Sequence, residues 1–191
     1  MRGARRWPVV MLGALLVSCA SSPPTQFYTL EPVQPRERTL HVSSSPIQIA
    51  PVHIPAVLER QEIVTERGSN ELILSNRHRW GAPLGEMARR TLTQDLLQRL
   101  QGNEVVLPEQ PAPANTREIV VDILRLQSDA AGRVVLQGSW SLLPPGADTP
   151  SLTRTFSLAE QASATGYADQ VQAMSRMLGQ LADEIVSAVA R

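Results

Sequence analysis

The sequence predicts a single α+β domain in which a mainly antiparallel sheet packs against two helices. Two segments repeat their apolar residues every three or four positions, as helices do, and they run from Pro83 to Leu100 and from about Tyr167 to Ala190. The other apolar segments are short and alternate between apolar and polar residues, as strands do. Strands precede each helix in the chain, an order typical of α+β folds.

The first 18 residues have the features of a signal peptide. Three arginines precede an apolar run of about eleven residues from Trp7 to Val17, which is shorter than the roughly 20 residues that a membrane-spanning helix needs. The run ends in Leu16-Val17-Ser18-Cys19, which resembles the lipobox of bacterial lipoproteins. This resemblance implies diacylglyceryl transfer to Cys19 and cleavage before it. The alternative is an ordinary signal peptide with a chance cysteine.

Cys19 is the single cysteine of the chain, which excludes disulfides and thiolate metal clusters. Two or three acyl chains on one residue make membrane binding very slow to reverse, so we expect a permanent anchor. In the enterobacterial sorting pattern, an Asp directly after the lipidated cysteine retains a lipoprotein at the inner membrane. Ala20 occupies this position here and therefore resembles an outer-membrane sorting signal. Residues 19–26 therefore form a lipidated cysteine with a flexible, proline-containing tether, and residues 27–191 form the domain.

The charge of the mature chain argues against nucleic acid as a partner. After removal of the signal peptide, the chain has 15 arginines, no lysine and 18 acidic residues, so its formal charge is −3. The arginines are scattered along the chain and form no basic stripe with interleaved aromatic residues. We therefore expect no nucleic-acid binding.

The first half of the domain contains four predicted strands. A short strand covers Phe27 to Leu30, and a second covers Ile47 to Val52, where prolines at 46, 51 and 55 predict an edge position or a strand end. Glu62 to Glu66 and Glu71 to Leu74 flank a Gly-Ser-Asn turn and predict a hairpin. The amphipathic helix follows, with Pro83 in its first turn and Gly102 at its C-terminal cap.

The second half is predicted as a meander followed by a helix. Residues 117–127 are apolar on both faces and predict an interior strand, which pairs with Arg133 to Leu143, and Leu152 to Leu158 adds a third strand. Trp140 is expected in the core. The last helix has a narrow apolar seam, which we interpret as packing on the sheet, with a coiled coil as the alternative.

The sequence shows no recognisable catalytic, metal or cofactor motif. His41, His53 and His78 are too widely spaced for a zinc site, and the nucleophile elbow and the glycine-rich phosphate loops are missing. Asp122 and Arg125 lie on opposite faces of their strand if the alternation holds, and Asp122 is expected to be a paired structural charge or to face outward. We therefore expect a protein that is not an enzyme.

Several short motifs occur in a fixed order. After Tyr28-Thr29-Leu30 come the proline-framed segment from Ile47 to Pro55, Leu58-x-Arg60, the predicted hairpin and finally Arg79-Trp80-Gly81-Ala82-Pro83-Leu84. Together with the lipobox, this set resembles the ABC-transport auxiliary lipoprotein family, the PqiC-type proteins. The chain departs from the family pattern at Val57, Gln61 and Gly81. These departures bear on the details of a surface and not on the family resemblance.

The resemblance implies a periplasmic lipoprotein, usually anchored in the outer membrane, that supports membrane integrity. Its partners would be an MCE-domain protein and an inner-membrane transporter or permease, together moving lipids between membranes, and members can assemble into a homo-oligomeric ring. No cofactor is implied. Arg60, Arg79, Trp80 and Pro83 are the candidate partner-binding or structural residues. From its chemistry alone, Arg60 could hold several backbone carbonyls, and Trp80 could pack over the sheet edge.

Two other classes of function are compatible with an anchored periplasmic domain. A hydrolase would need a pocket in which titratable groups converge. An outer-membrane assembly lipoprotein would bind components such as lipopolysaccharide.

Overall fold

The computed structural model describes residues 23–35, 45–100 and 104–189 of the chain. Cys19, the signal peptide, His41 and Gly102 lie outside these ranges, so the statements about them remain predictions. The described residues form eight strands and two helices: β1 (Gln26–Tyr28), β2 (Ile47–Ile49), β3 (Glu62–Arg67), β4 (Glu71–Trp80), α1 (Leu84–Arg99), β5 (Val105–Val106), β6 (Arg117–Asp129), β7 (Arg133–Leu143), β8 (Leu152–Gln161) and α2 (Tyr167–Val189).

The eight strands form one mixed sheet that branches at β6. One edge of β6 pairs along its length with β7, which in turn pairs with β8, and both pairings are antiparallel. The other edge of β6 pairs in parallel with β2 near its start and with β3 near its end. The predicted hairpin of β3 and β4 is confirmed, but β1 pairs in parallel with β4 and β5 with β2. The expectation of a mainly antiparallel sheet is therefore confirmed only in part, because the three longest pairings are antiparallel and four short ones are parallel.

The position of β2 also differs from the prediction. The prolines that flank it, Pro46 and Pro51, do limit it to three residues. It nevertheless lies between β5 and β6, and Ile47 and Ile49 are fully buried. Pro46 can adjoin an interior strand because its carbonyl accepts a hydrogen bond from the Arg117 N–H (2.8 Å), while proline's missing N–H is not required there.

The meander of β6, β7 and β8 follows the predicted alternation except at one bulge. On β7, Val134, Leu136, Trp140 and Leu142 are all buried on the helix-facing side, as expected. On β6 the register shifts between Ile123 and Arg125, which leaves Leu124 exposed. Because of this extra residue, Asp122 and Arg125 lie on the same, outward face, opposite Ser139 and Gln137. The prediction that they lie on opposite faces was wrong.

Gly138 lies opposite the start of the bulge, where it pairs with Ile123. A Cβ atom on this residue would be 2.1 Å from the Asp122 carbonyl oxygen and 2.8 Å from the Phe156 ring. Only glycine allows the backbone of β6 to come this close.

Both predicted helices are present, and both pack on the same side of the sheet. α2 lies against α1 and against β6, β7 and β8, while α1 also contacts β2 and β5. Packing of the last helix on the sheet is confirmed. Its buried face is much wider than the predicted narrow seam, because α1 and the segment after β1 cover flanks that the sheet does not reach; the buried residues there include Gln170, Ala173, Ser175, Met177, Ala182 and Val186. Neither helix of the described chain is long and apolar enough to cross a membrane.

Candidate functional site

A cleft lies where the segment between β2 and β3 passes the start of α1. It has a volume of about 530 Å³ and a mostly apolar lining that includes Val52, Ile54, Arg60, Ala82, Pro83 and Leu84. Most of these residues belong to the sequence motifs on which the family resemblance rests. The fold therefore brings into one place three of these motifs, namely the segment from Ile47 to Pro55, Leu58-x-Arg60, and the segment from Arg79 to Leu84.

The segment that carries Arg60 is held by a short turn. The N–H groups of Leu58 and Arg60 donate to the carbonyls of Pro55 and Leu58, both at 2.8 Å, and the Leu58 side chain is buried in the core. Arg60 itself is exposed, and its guanidinium makes no hydrogen bond or ion pair with any described residue. The expectation that it holds several backbone carbonyls was wrong, because the side chain extends outward at the cleft rim.

The opposite wall of the cleft is the start of α1. Pro83 precedes the helix and its carbonyl accepts the first helical hydrogen bond, from the Met87 N–H at 3.0 Å. A Cβ atom on Gly85 would lie 2.9 Å from the Val52 carbonyl oxygen, so glycine is needed for the helix to approach the β2–β3 segment. Arg89 fixes the same contact by donating from Nε to the Ile49 carbonyl at 2.9 Å. These contacts set the cleft width.

Arg79 and Trp80 lie at the end of β4 but do not line the cleft. The Trp80 side chain is 3% exposed and packs in the core, and the backbone N–H of Trp80 donates to the Gln61 carbonyl at 2.7 Å. Arg79 is half-buried on the other face of the strand, 4.0 Å from the Glu62 carboxylate. The structure therefore brings Arg60 and Pro83 together at the cleft, whereas Trp80 supports the strand from inside.

The cleft has a mostly apolar lining with a few polar groups. Its polar side chains are the guanidinium groups of Arg60 and Arg89, the carboxylates of Glu59 and Glu86, and the amide of Gln61. Glu86 is paired with Arg90 at 2.5 Å. Neither a histidine nor a hydroxyl nucleophile lines it. An apolar surface with a free guanidinium at its rim suits a partner segment with apolar side chains and an acidic or carbonyl-rich end.

A pair of titratable groups lies outside this cleft. His53 Nδ1 lies 2.8 Å from Asp122 Oδ1, and both side chains are largely exposed, so the description of Asp122 as a paired, outward-facing charge is confirmed. No hydroxyl within the described residues hydrogen-bonds to this imidazole. The same residues contain no group of three or more side chains that could hold a metal ion.

An aromatic cluster that the sequence did not suggest joins β1, β4 and α2. Tyr28 Oη lies 2.8 Å from His78 Nδ1, and the His78 ring stacks on Tyr167 with centroids 4.0 Å apart. Burial, and secondarily the charge of Arg77, lower the pKa of His78 below its usual value. A neutral imidazole is therefore favoured in this stack, which attaches the start of the domain to α2.

The second feature missed from the sequence is a buried charged cluster centred on Arg99. Its guanidinium donates to Asp183 Oδ1 (2.5 Å), to Asp95 Oδ1 (3.1 Å) and to the carbonyls of Val33, Asp95 and Gly179 (3.0–3.1 Å). Asp95 is fully buried and also accepts the Val33 N–H at 2.8 Å. The cluster thus joins α1, α2 and the segment after β1. Arg99 and Asp95 are enclosed, Asp183 is half-exposed, and none of these three side chains lines the cleft beside α1, so the role of the cluster is structural.

The sequence contained a signal for this cluster. Met87, Thr91, Asp95 and Arg99 form a second row, four residues apart, beside the apolar stripe of α1, and all four are buried. An acid and a base at positions i and i+4 normally indicate an exposed helix face. Only the arrangement of α2 and the segment after β1 shows that this row is covered.

The comparisons with known proteins agree with this architecture. The family model described as an ABC-type transport auxiliary lipoprotein component matches residues 28–186. The chain belongs to this family. Membership makes the auxiliary lipoprotein a membrane-associated component of an ABC-type transport system, and the family is not a known enzyme family. Among curated proteins, none matches the sequence.

Solved structures share the fold of this auxiliary lipoprotein. An uncharacterized protein aligns with a TM-score of 0.73 and 21% identity, covering 87% of this chain and 99% of its own. The DUF330 protein XCC0632 from Xanthomonas campestris aligns with a TM-score of 0.71 and 18% identity, covering 85% and 93%. A PelC dodecamer from Paraburkholderia phytofirmans aligns at 0.46 with 11% identity, covering 85% and 93%, too low a score to bear on assembly here.

Replacing Arg99 should destabilise the domain far more than replacing a matched exposed arginine. Arg99→Met leaves Asp95 buried without its cation, so we expect the free energy of unfolding to fall by about 3–5 kcal/mol. Arg90→Met, on the same helix, removes an exposed pair with Glu86 at the same spacing and should cost less than about 1 kcal/mol. Urea unfolding of both variants measures the difference, and equal losses would contradict the structural role of the cluster.

Asp95 should make stability depend on pH in an identifiable window. Burial raises the pKa of Asp95 from 3.8 to about 6, although the Val33 N–H and Arg99 act in the opposite direction. Between these values the folded chain keeps a proton that the unfolded chain has released, so the contribution of Asp95 to stability falls as pH rises from about 4 to 6.

Asp95→Asn removes this titration. The free energy of unfolding of the wild type minus that of the variant should therefore decrease by on the order of 2–3 kcal/mol between pH 4 and pH 7. Urea unfolding at several pH values measures this difference, and a constant difference would show that Asp95 does not titrate there.

Proposed function

We propose that the protein is a lipid-anchored, periplasmic docking subunit of an intermembrane lipid-transport system, located in the outer membrane and supporting its integrity. Its partners in this proposal are an MCE-domain protein and an inner-membrane transporter or permease. The observation that carries the proposal is the family match over residues 28–186, which begins a few residues after the lipobox cysteine. Cys19 and Ala20 support lipid anchorage and the outer-membrane location.

Within this proposal the cleft is the surface that contacts a transport partner. Arg60 has no partner in the described part of the chain, although an arginine normally gains from a carboxylate or carbonyl acceptor. Pro83 and the apolar wall beside it are rigidly held by Gly85 and Arg89. A rigid apolar surface with one free guanidinium is a suitable anchor point for a binding partner. Arg79 and Trp80 act by holding β4 in place.

We further propose that the subunit works as a homo-oligomeric ring. A ring of anchored copies would surround the end of a partner that reaches the outer membrane, and several identical clefts would bind with greater avidity than one.

Affinity purification tests the proposed function. The full-length lipoprotein is extracted in mild detergent from cells that express it from its own locus, and bound proteins are identified by mass spectrometry. Recovery of an MCE-domain protein supports the proposal. Recovery of a different transport system under the same conditions, or of none together with an intact membrane barrier in a deletion strain, would contradict it.

Arg60→Glu should weaken partner binding without changing the fold. Reversing a charge at the cleft rim places a carboxylate where the partner's acceptor binds, so we expect at least an approximately tenfold loss of partner recovery. Arg133→Glu is the matched control, because Arg133 is exposed and lies at the β6–β7 turn, away from the cleft. Thermal unfolding checks that both variants remain folded. Equal recovery with the two variants would exclude the cleft as the contact surface.

Cys19→Ser should detach the protein from the membrane while the domain stays folded, because the acyl chains supply the membrane affinity. We expect the variant to move to the soluble periplasmic fraction and to fail to restore the outer-membrane barrier of a deletion strain, measured by detergent and antibiotic sensitivity. Full complementation by a soluble variant would show that anchoring is dispensable.

A further inference from the structure

The strand β8 forms a long open edge of the sheet. It has ten residues, about twice the length of an average strand, and within the described chain it pairs only with β7. Its pairing with β7 runs from Leu152 to Gln161 without a register shift. The strand is therefore regular along its whole length, and its outer edge faces solvent.

The geometry identifies which backbone groups of β8 are free. The Ala162 N–H donates to the Gly132 carbonyl at 3.0 Å, and this pair continues the β7–β8 register by one step. Since hydrogen-bonded pairs alternate in an antiparallel ladder, the even-numbered residues of β8 bond to β7. The free N–H and C=O groups at the open edge belong to Thr153, Thr155, Ser157, Ala159 and Gln161.

This edge lacks most of the features that normally prevent strands from pairing with other molecules. Such edges usually carry a proline, a bulge, or charges that point outward or inward, or they are very short. β8 has neither a proline nor a bulge, and the side chains on its exposed face are uncharged. Its two charged residues, Arg154 and Glu160, lie on the helix side, where Glu160 pairs with Arg176 at 2.5 Å. An edge of this kind is suited to pairing.

The opposite edge of the same sheet is also open. A continuous row crosses five strands, and it consists of Ile73, Thr65, Ser128, Val134 and Glu160. It begins on β4 and ends on β8. On its outer side, β4 pairs with β1 only at residues 78–80, so the segment Glu71–Leu74 has no outer neighbour among the described residues. Leu72 and Leu74, both on this segment, are 42% exposed.

We propose that β8 of one copy pairs with the Glu71–Leu74 segment of β4 in the next copy. This contact pairs the open segment of β4 with part of the open edge of β8, brings the exposed Leu72 and Leu74 beside a neighbouring strand, and uses a different surface on each copy. A head-to-tail contact of this type closes into a ring when the rotation between copies completes a circle. The inference rests on the self-association proposed above and assigns its interface.

A proline at an open N–H position tests the role of β8. Ser157→Pro removes one free N–H at the centre of the edge, while Phe156 and Leu158 keep their hydrogen bonds to β7. Ser157→Ala is the matched control, because both variants lose the hydrogen bond from Gln137 Nε2 to the Ser157 hydroxyl (3.0 Å), whereas only the proline removes the N–H.

The masses of both variants are measured by light scattering on the full-length protein in detergent. We expect the alanine variant to keep the mass of the wild-type oligomer and the proline variant to fall to the monomer, with circular dichroism confirming that it is folded. If the folded proline variant keeps the mass of the wild-type oligomer, the proposed edge is wrong but self-association still stands. A monomeric wild type would overturn both, while the proposed recovery of a transport partner is tested separately.

Cysteine cross-linking identifies the strand that meets β8 and does not depend on the folding of the proline variant. One tagged copy carries Thr155→Cys or Ser157→Cys and a second carries Leu72→Cys or Leu74→Cys, both with Cys19→Ser, and the two are co-expressed. The proposal predicts disulfides between the two kinds of copy. Disulfides between two β8 variants, or none in an assembled oligomer, would contradict the pairing with β4.

Discussion

The hydrogen bonds of Arg99 are the interaction on which the arrangement of the helices depends. One guanidinium binds oxygen atoms from α1, from α2 and from the segment after β1. Charges this deeply buried are tolerated only when their partners are present, so all three parts of the chain must be in place for the cluster to be stable. Gly179 makes the contact possible, because a Cβ atom there would lie 3.4 Å from the Arg99 guanidinium and 3.2 Å from Val33. The helix pair then covers the inner face of the sheet.

A second constraint is the way in which β6 is shared. Its 13 residues exceed the length of any single neighbour on the side away from β7, so β2 and β3 each pair with a part of it. The chain between these two strands crosses the gap, touches β6 at His53, and turns back at Leu58 toward the start of α1. The cleft lies beside this crossing segment. The same branching leaves β4 and β8 as the outer strands of one five-stranded row.

The surfaces, rather than an enclosed reaction centre, distinguish this domain. The buried titratable groups, Asp95 and Arg99, bind each other and neighbouring structural groups. The exposed pair of His53 and Asp122 has no hydroxyl partner in the described chain. The accessible features of the described residues are a rigid apolar cleft, an arginine at its rim without a partner among those residues, and two strand edges without a described neighbour. The family match assigns the domain to the ABC-type transport auxiliary lipoprotein components.

The sequence alone predicted both helices, the β3–β4 hairpin and the meander of β6 to β8, because each depends on local periodicity and on turns between neighbouring segments. The assignment of Arg60 and Pro83 as candidate partner-binding or structural residues stays a prediction. The parallel pairings of β1 with β4 and of β2 with β6 join segments that are distant in the sequence, and no local pattern encodes them. The bulge at Leu124, the exposure of Arg60 and the burial of Asp95 and Arg99 likewise depend on which element covers which face, and only the tertiary structure decides that.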